Sequence, residues 1–172
     1  MKIFYIFLLL FSSFLSNSFA NEKIVYLNMN QLIQQSEVGK YVNNELKRIN
    51  DLNIKDLTKL ENLIKSEDAK LIKQKSILKE EDFKLKLDEL KLKYQSYQEK
   101  KNKKNKDLEN LKNKSGNQIL KVINEILSEY SSKESISLVI EKKNVVMGKT
   151  SLDITNDILE LLNKKIKKIE VK

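Results

Sequence analysis

Between Val38 and Tyr130, apolar residues recur at three- and four-residue steps through a background of lysine, glutamate and asparagine. The second half of this stretch is the more regular, with Phe83, Leu87, Leu90, Tyr94, Tyr97, Leu108, Leu111, Ser115, Val122 and Ile126 in one heptad phase and Lys101 and Lys104 filling a polar gap. The first half answers with Val42, Leu46, Ile49, Leu57, Leu60, Ile64, Leu71 and Leu78, with Asn53 in its own gap. Each half predicts a helix with a narrow apolar stripe, which cannot bury itself alone. One uninterrupted helix would run on the order of 130 Å at about 1.5 Å per residue, so a fold-back is expected.

The turn is placed at Gln74 to Lys79, where Ser76 offers a cap and Glu80, Glu81 and Asp82 would fall at the positive end of the next helix dipole. A fold-back centred near Ile77 and Leu78 makes facing positions sum to about 155 by antiparallel counting, setting Leu57 against Tyr97, Leu60 against Tyr94, and Leu71 against Phe83 or Lys84. The polar gaps then coincide, and Asp51 and Asp56 are expected to pair with lysines of the 100–104 run.

On either side of the arm the period changes. Lys23 to Asn28 is a β-branched and aromatic run that reads as a buried strand, and Asn30 to Ser36 as a short helix. Gly39 gives backbone freedom where the chain is re-aimed. Past Tyr130, residues 135–141 and 144–147 flank Lys142-Lys143 as a strand hairpin closed by Gly148. Asp153 to Asp157 supplies cap oxygens and early acids for a final helix with a lysine-rich end. The expected fold is therefore α+β and mostly α, with a body of residues 21–37 and 131–172 holding three short strands. A helical-hairpin arm of residues 38–130 projects from it, its tip near 74–80 and each half on the order of 55 Å long. Gly116 interrupts the second arm as a tolerated soft spot or a hinge. Small sheets with open edges are marginal alone and invite pairing between copies, so a homo-oligomer joined through the body is expected.

Met1 to Ala20 carries one lysine, an apolar core from Ile3 to Phe11 and Ser18-Phe19-Ala20 at the spacing a signal peptidase reads. Serines and Asn17 break the run short of the ~20 apolar residues that a membrane span needs. A cleaved secretory signal peptide and a periplasmic location follow, the mature chain starting near Asn21. Its removal takes one lysine and no acid, moving the net charge from +9 to +8.

Cysteine and histidine are both absent. Thiolate chemistry, histidine bases, Ser-His-Asp systems and histidine metal sites are thereby excluded. Three glycines cannot build a phosphate cradle, so neither ATP nor a dinucleotide is implied, and no cofactor is expected. The carboxylates, hydroxyls and lysines show no catalytic constellation, and a non-enzyme is expected. Glu80, Glu81 and Asp82 lack the glycine-spaced loop of a calcium site and read as a helix-terminus charge cluster.

The order of strand, short helix, Ser36-x-x-Gly39-Lys40, lysine-rich hairpin with Leu78-Lys-Glu-Glu-Asp82 at its tip, strand pair and Ser151-Leu-Asp-Ile-Thr-Asn-Asp157 resembles the Skp/OmpH periplasmic chaperones. The resemblance implies a homotrimer whose strands assemble a β-barrel-like body, with three arms enclosing a cavity. It also implies an ATP-independent holdase for unfolded outer-membrane β-barrel proteins. The chain departs from the family in its asparagine and lysine load and in Gly116.

A holdase needs many weak contacts, because one strong site would select a sequence and fail to release it. Lysine stems can cover apolar client segments while their ammonium groups attract acidic ones. Lys100, Lys101, Lys103, Lys104 and Lys106 are the densest such run and the candidate client contacts, although a solvated helix face accounts for the same spacing. Tyr94 and Tyr97 sit at seam positions and are expected in the core. Two other classes fit parts of the pattern: a structural coiled coil of the cell envelope, and a cationic binder of anionic lipid or lipopolysaccharide. The signal peptide removes the protein from nucleic acid in the cell, so any DNA binding would reflect charge alone and fade with salt.

Overall fold

The computed structural model describes residues 22–172; the expected signal peptide lies outside them. Strand β1 (Lys23–Leu27) buries Val25, Tyr26 and Leu27. Asn28 then caps helix α1 (Met29–Gln35), its side chain accepting from the Gln31 N–H at 3.0 Å. Ser36 makes the next corner by accepting from the Gly39 N–H and donating to the Ile33 carbonyl. There the chain enters helix α2 (Glu37–Gln74).

Gly39 is required at this corner for space rather than for conformational freedom. Its φ is not positive, and a Cβ would lie 1.7 Å from the Ile33 carbonyl oxygen, so α1 and α2 approach closely enough to exclude any side chain.

Helix α2 has 38 residues and its partner α3 (Glu80–Lys133) has 54. At about 1.5 Å per residue they reach roughly 57 and 81 Å, the excess of α3 being its passage through the body. Ser135, at a φ of 53°, supplies the left-handed residue that closes α3. Strand β2 (Ile136–Glu141) returns beside β1, parallel to it, with Val25 opposite Val139 and Tyr26 opposite Ile140. Parallel pairing is possible because the whole arm serves as the crossover.

The sheet has two strands, where three were expected. Lys142–Asn144 winds into a 3-10 turn, and Val145 to Met147 form no strand, with Val146 and Met147 almost fully exposed. β-branched composition alone does not make a strand; the 3-10 turn at Lys142–Asn144 does not return the segment along the open edge of β2. Gly148 packs over the Tyr26 ring, and the Tyr26 hydroxyl donates to the Lys149 carbonyl at 3.1 Å. A second 3-10 turn, Thr150–Leu152, brings Asp153 to β1 as a single bridging residue at Tyr26.

Helix α4 (Thr155–Lys165) starts there. The Asp153 carboxylate accepts from the Thr155 N–H, and the Thr155 hydroxyl accepts from the Asn28 N–H at 2.9 Å, tying the starts of α1 and α4 together. One apolar cluster joins all of this: Val25 and Leu27, Leu32, Val38 and Val42 from the root of α2, Ile119, Ile123 and Ile126 from α3, and Ile154, Ile158 and Leu162. Both arm roots are therefore part of the body's packing.

Two outcomes test this account. In thermal or urea unfolding, Gly39→Ala should destabilise by about 3 kcal/mol through overpacking, whereas Gly116→Ala, whose added Cβ meets nothing within 4 Å, should stabilise by up to about 1 kcal/mol. The Asp153 carboxyl is pushed up by burial, but the Lys142 ammonium at 2.7 Å and the bonds from Thr155 outweigh this and hold it below 3.8. Its contribution is complete above that value and is lost as pH falls through the lower folded one. Acidification from about pH 5 to pH 3 should cost the wild-type chain more stability than Asp153→Asn, as read by denaturation at each pH.

Candidate functional site

The arm is closed by its own stripe. Leu71 and Tyr97 are buried in the seam, and Leu57, Leu60, Ile64, Phe83, Leu87, Leu90, Leu108 and Leu111 are half-buried along it. The turn spans Lys75 to Lys79, between the end of α2 at Gln74 and the start of α3 at Glu80, and within it the Leu78 N–H donates to the Gln74 carbonyl at 2.9 Å. Ser76 lies inside this turn and caps neither helix, and the N-cap of α3 is Lys79 without a side-chain cap bond.

Across the hairpin, facing positions sum to 157–160 in place of the expected value of about 155, a displacement of about half a turn to somewhat more than a turn. Lys104 meets Asn53 and Asp56, Lys93 meets Glu67, and Tyr97 meets Glu61 rather than the level of Leu57. Tyr94 is left 54% exposed, contrary to the expected core position, and stacks obliquely on Tyr97 with ring centroids 6.3 Å apart.

The polar gap is a built layer. The Lys104 ammonium donates to the Asn53 side-chain amide oxygen (Oδ1) at 2.7 Å and lies 3.4 Å from the Asp56 carboxylate, with its side chain only 21% exposed. Asp51 makes no ion pair among the described residues, the register carrying it past residues 100–104 with which it was expected to pair. Farther out, Glu61 bonds Lys65 at 2.6 Å; that hydrogen bond and the lysine's charge hold its carboxyl below the usual range, with smaller help from Tyr97 and Lys101.

Two shallow grooves flank the seam. One, of about 500 Å³, is lined by Leu60, Leu63, Ile64, Leu92, Tyr97 and Lys100 among others. The other, of about 430 Å³, includes Ile64, Leu87, Leu90 and Tyr94 between Lys65 and Lys91. The sequence of this arm, and of the body around it, matches the family described as Outer membrane protein (OmpH-like) over residues 23–162. The chain belongs to the OmpH-like family.

A Skp-like protein of Chlamydia pneumoniae is 25% identical to this OmpH-like chain over 173 residues, covering 93% of it and 97% of the relative. The crystal structure of an OmpH-like outer membrane chaperone from Caulobacter crescentus shares its fold, with a TM-score of 0.81 over 87% of this chain and 88% of that one, at 19% identity.

Within this OmpH-like arm the five candidate lysines separate into two kinds. Lys104 belongs to the seam. Lys100, Lys101, Lys103 and Lys106 are exposed and make no ion pair among the described residues, Lys100 at the edge of the larger groove. Sequence reasoning passed over Leu63, Leu85 and Leu92, which stand 61–65% exposed beside the seam. Their signal was present: each is an apolar residue out of phase with the heptads.

A double-mutant cycle of Lys104→Met and Asn53→Ala in urea unfolding should give a coupling of about 1 kcal/mol, the size of a partly buried hydrogen bond. Lys100→Met should leave stability within about 0.5 kcal/mol of wild type.

Proposed function

We propose that this protein is an ATP-independent periplasmic holdase that binds unfolded outer-membrane β-barrel proteins between its basic arms and prevents their aggregation. The observation that carries the reading is the arm's surface. Its seam satisfies its own polar groups, while unpaired lysines and isolated exposed leucines face outward along the same hairpin. Such a surface offers many contacts of low individual strength, so a client is retained by their number and released without a nucleotide cycle. Lysine stems and leucines take apolar client segments, and the free ammonium groups draw acidic ones. The chaperone named among the solved structures of the same fold, and the Skp-like relative, support this assignment.

The working form is a homotrimer joined through the body. In support, the two-stranded sheet has open edges, and Ile24, Leu138, Val146 and Met147 are exposed apolar residues on the body. Apolar surface at an open edge favours association with further copies.

The test is to dilute an outer-membrane β-barrel protein from urea with and without the chain lacking residues 1–20, without nucleotide, while following light scattering and complex mass. Suppressed scattering, a complex with three copies per client, and slower capture of an acidic client at high salt are expected. Undiminished scattering in the presence of an assembled protein would make it a structural coiled coil of the envelope. Binding to anionic vesicles or lipopolysaccharide in place of the client would make it a polyanion binder.

A further inference from the structure

Past α4, residues 166–172 form neither helix nor strand, yet they are held at several points. Ile166, Ile169 and Val171 are half-buried against the core cluster. Between them, the Lys167 ammonium lies 3.3 Å from the Glu37 carboxylate and the Lys168 ammonium 5.5 Å from the Tyr41 ring centre, both on α2. At the far end, the Lys114 ammonium of α3 donates to the Lys172 carbonyl at 3.0 Å. The segment thus climbs the root of the arm along α2 and finishes on α3.

The level it reaches carries no large inward side chain on α3. Below it, Ile119 and Ile123 anchor α3 in the body, and above it Leu111 and Leu108 belong to the arm's seam. In between, the inward position is Ser115, which is buried, and beside it stands Gly116, where an added Cβ would face open space. A helix with a glycine and no large side chain at the point where it leaves the body is easily bent or locally opened.

We propose that residues 167–172 are a strap that braces the arm at Gly116 and so sets how freely the arm swings on the body. The strap supplies from outside the apolar and ionic contacts that Ser115 and Gly116 do not supply within the seam. Because it is anchored on both arm helices, it opposes bending at that level without being needed for the body to fold.

Amide hydrogen exchange tests this without any client, so its result is independent of the chaperone reading. In a chain ending at Ile166, amides of residues 112–118 and 41–47 should exchange about fivefold faster, while those of 123–126 and 158–162 keep their protection. Lys114→Ala, which removes one exposed contact, should accelerate the same amides by a smaller factor. Adding Gly116→Ala to the shortened chain should restore about fivefold slower exchange there, the equivalent of its gain in helix propensity. Unchanged exchange at 112–118 in both variants would overturn the proposal. An equal acceleration at 123–126 in the shortened chain would also overturn it, by making the segment part of the body's core.

Discussion

Every part of the molecule depends on how α3 enters the body. Ile119, Ile123 and Ile126 present one face to Val38 and Val42 of α2, to Ile158 and Leu162 of α4, and to β1. This cluster is where the two ends of the chain meet, and it is also where both arm helices are rooted. Burial of these side chains is the dominant favourable term, each contributing on the order of 2 kcal/mol. The arm's direction is set by the same contacts, because α2 and α3 are continuous from core to arm. The close approach at Gly39 fixes the other side of that root, since only a residue without a Cβ lets α1 lie against α2.

Away from the root, the arm is held by a much narrower interface. Its stripe buries Leu71 and Tyr97, and most other seam residues only in part, so each turn adds little. Polar contacts across the hairpin, such as Lys104 with Asn53 and Lys93 with Glu67, fix register more than they add stability, exposed ion pairs being worth about 0–1 kcal/mol. An arm of this kind stays helical while tolerating bending along its length. In the proposed holdase, that combination would suit a surface following an unfolded chain of no fixed shape. The cost of a stiffer, wider seam would be fewer lysines and leucines left facing outward.

The grooves beside the seam follow from the same narrowness. Two helices packed through a thin stripe leave furrows on both sides, and Leu63 and Leu92 fall into the larger one because they lie just off the stripe. An apolar side chain there is neither core nor accident of composition; it is apolar surface held open by the register of its neighbours.

Much of this was legible in the residues. The heptad phases at Phe83, Leu87 and Leu90, and at Leu57, Leu60 and Ile64, required two helices and a fold-back, because a narrow stripe has to be covered. Val25 and Leu27 announced a buried strand, and the order of elements carried the family resemblance. The register across the hairpin was beyond reach, since facing positions that sum to 157–160 rather than about 155 leave both stripes covered and no side chain signals the difference. That small shift decided which lysine enters the seam, which tyrosine is exposed, and that Asp51 is left outside the polar layer. The third strand failed for a related reason: Val145 and Val146 have the composition of a strand, but pairing needs a turn that returns them along β2, and the 3-10 turn at Lys142–Asn144 leads the chain to Asp153 beside β1 instead. Local periodicity determined what each segment is, because it reports which face must be buried. Only the tertiary structure decided what each face meets, because register, edges and close approach are set by residues far apart in the chain.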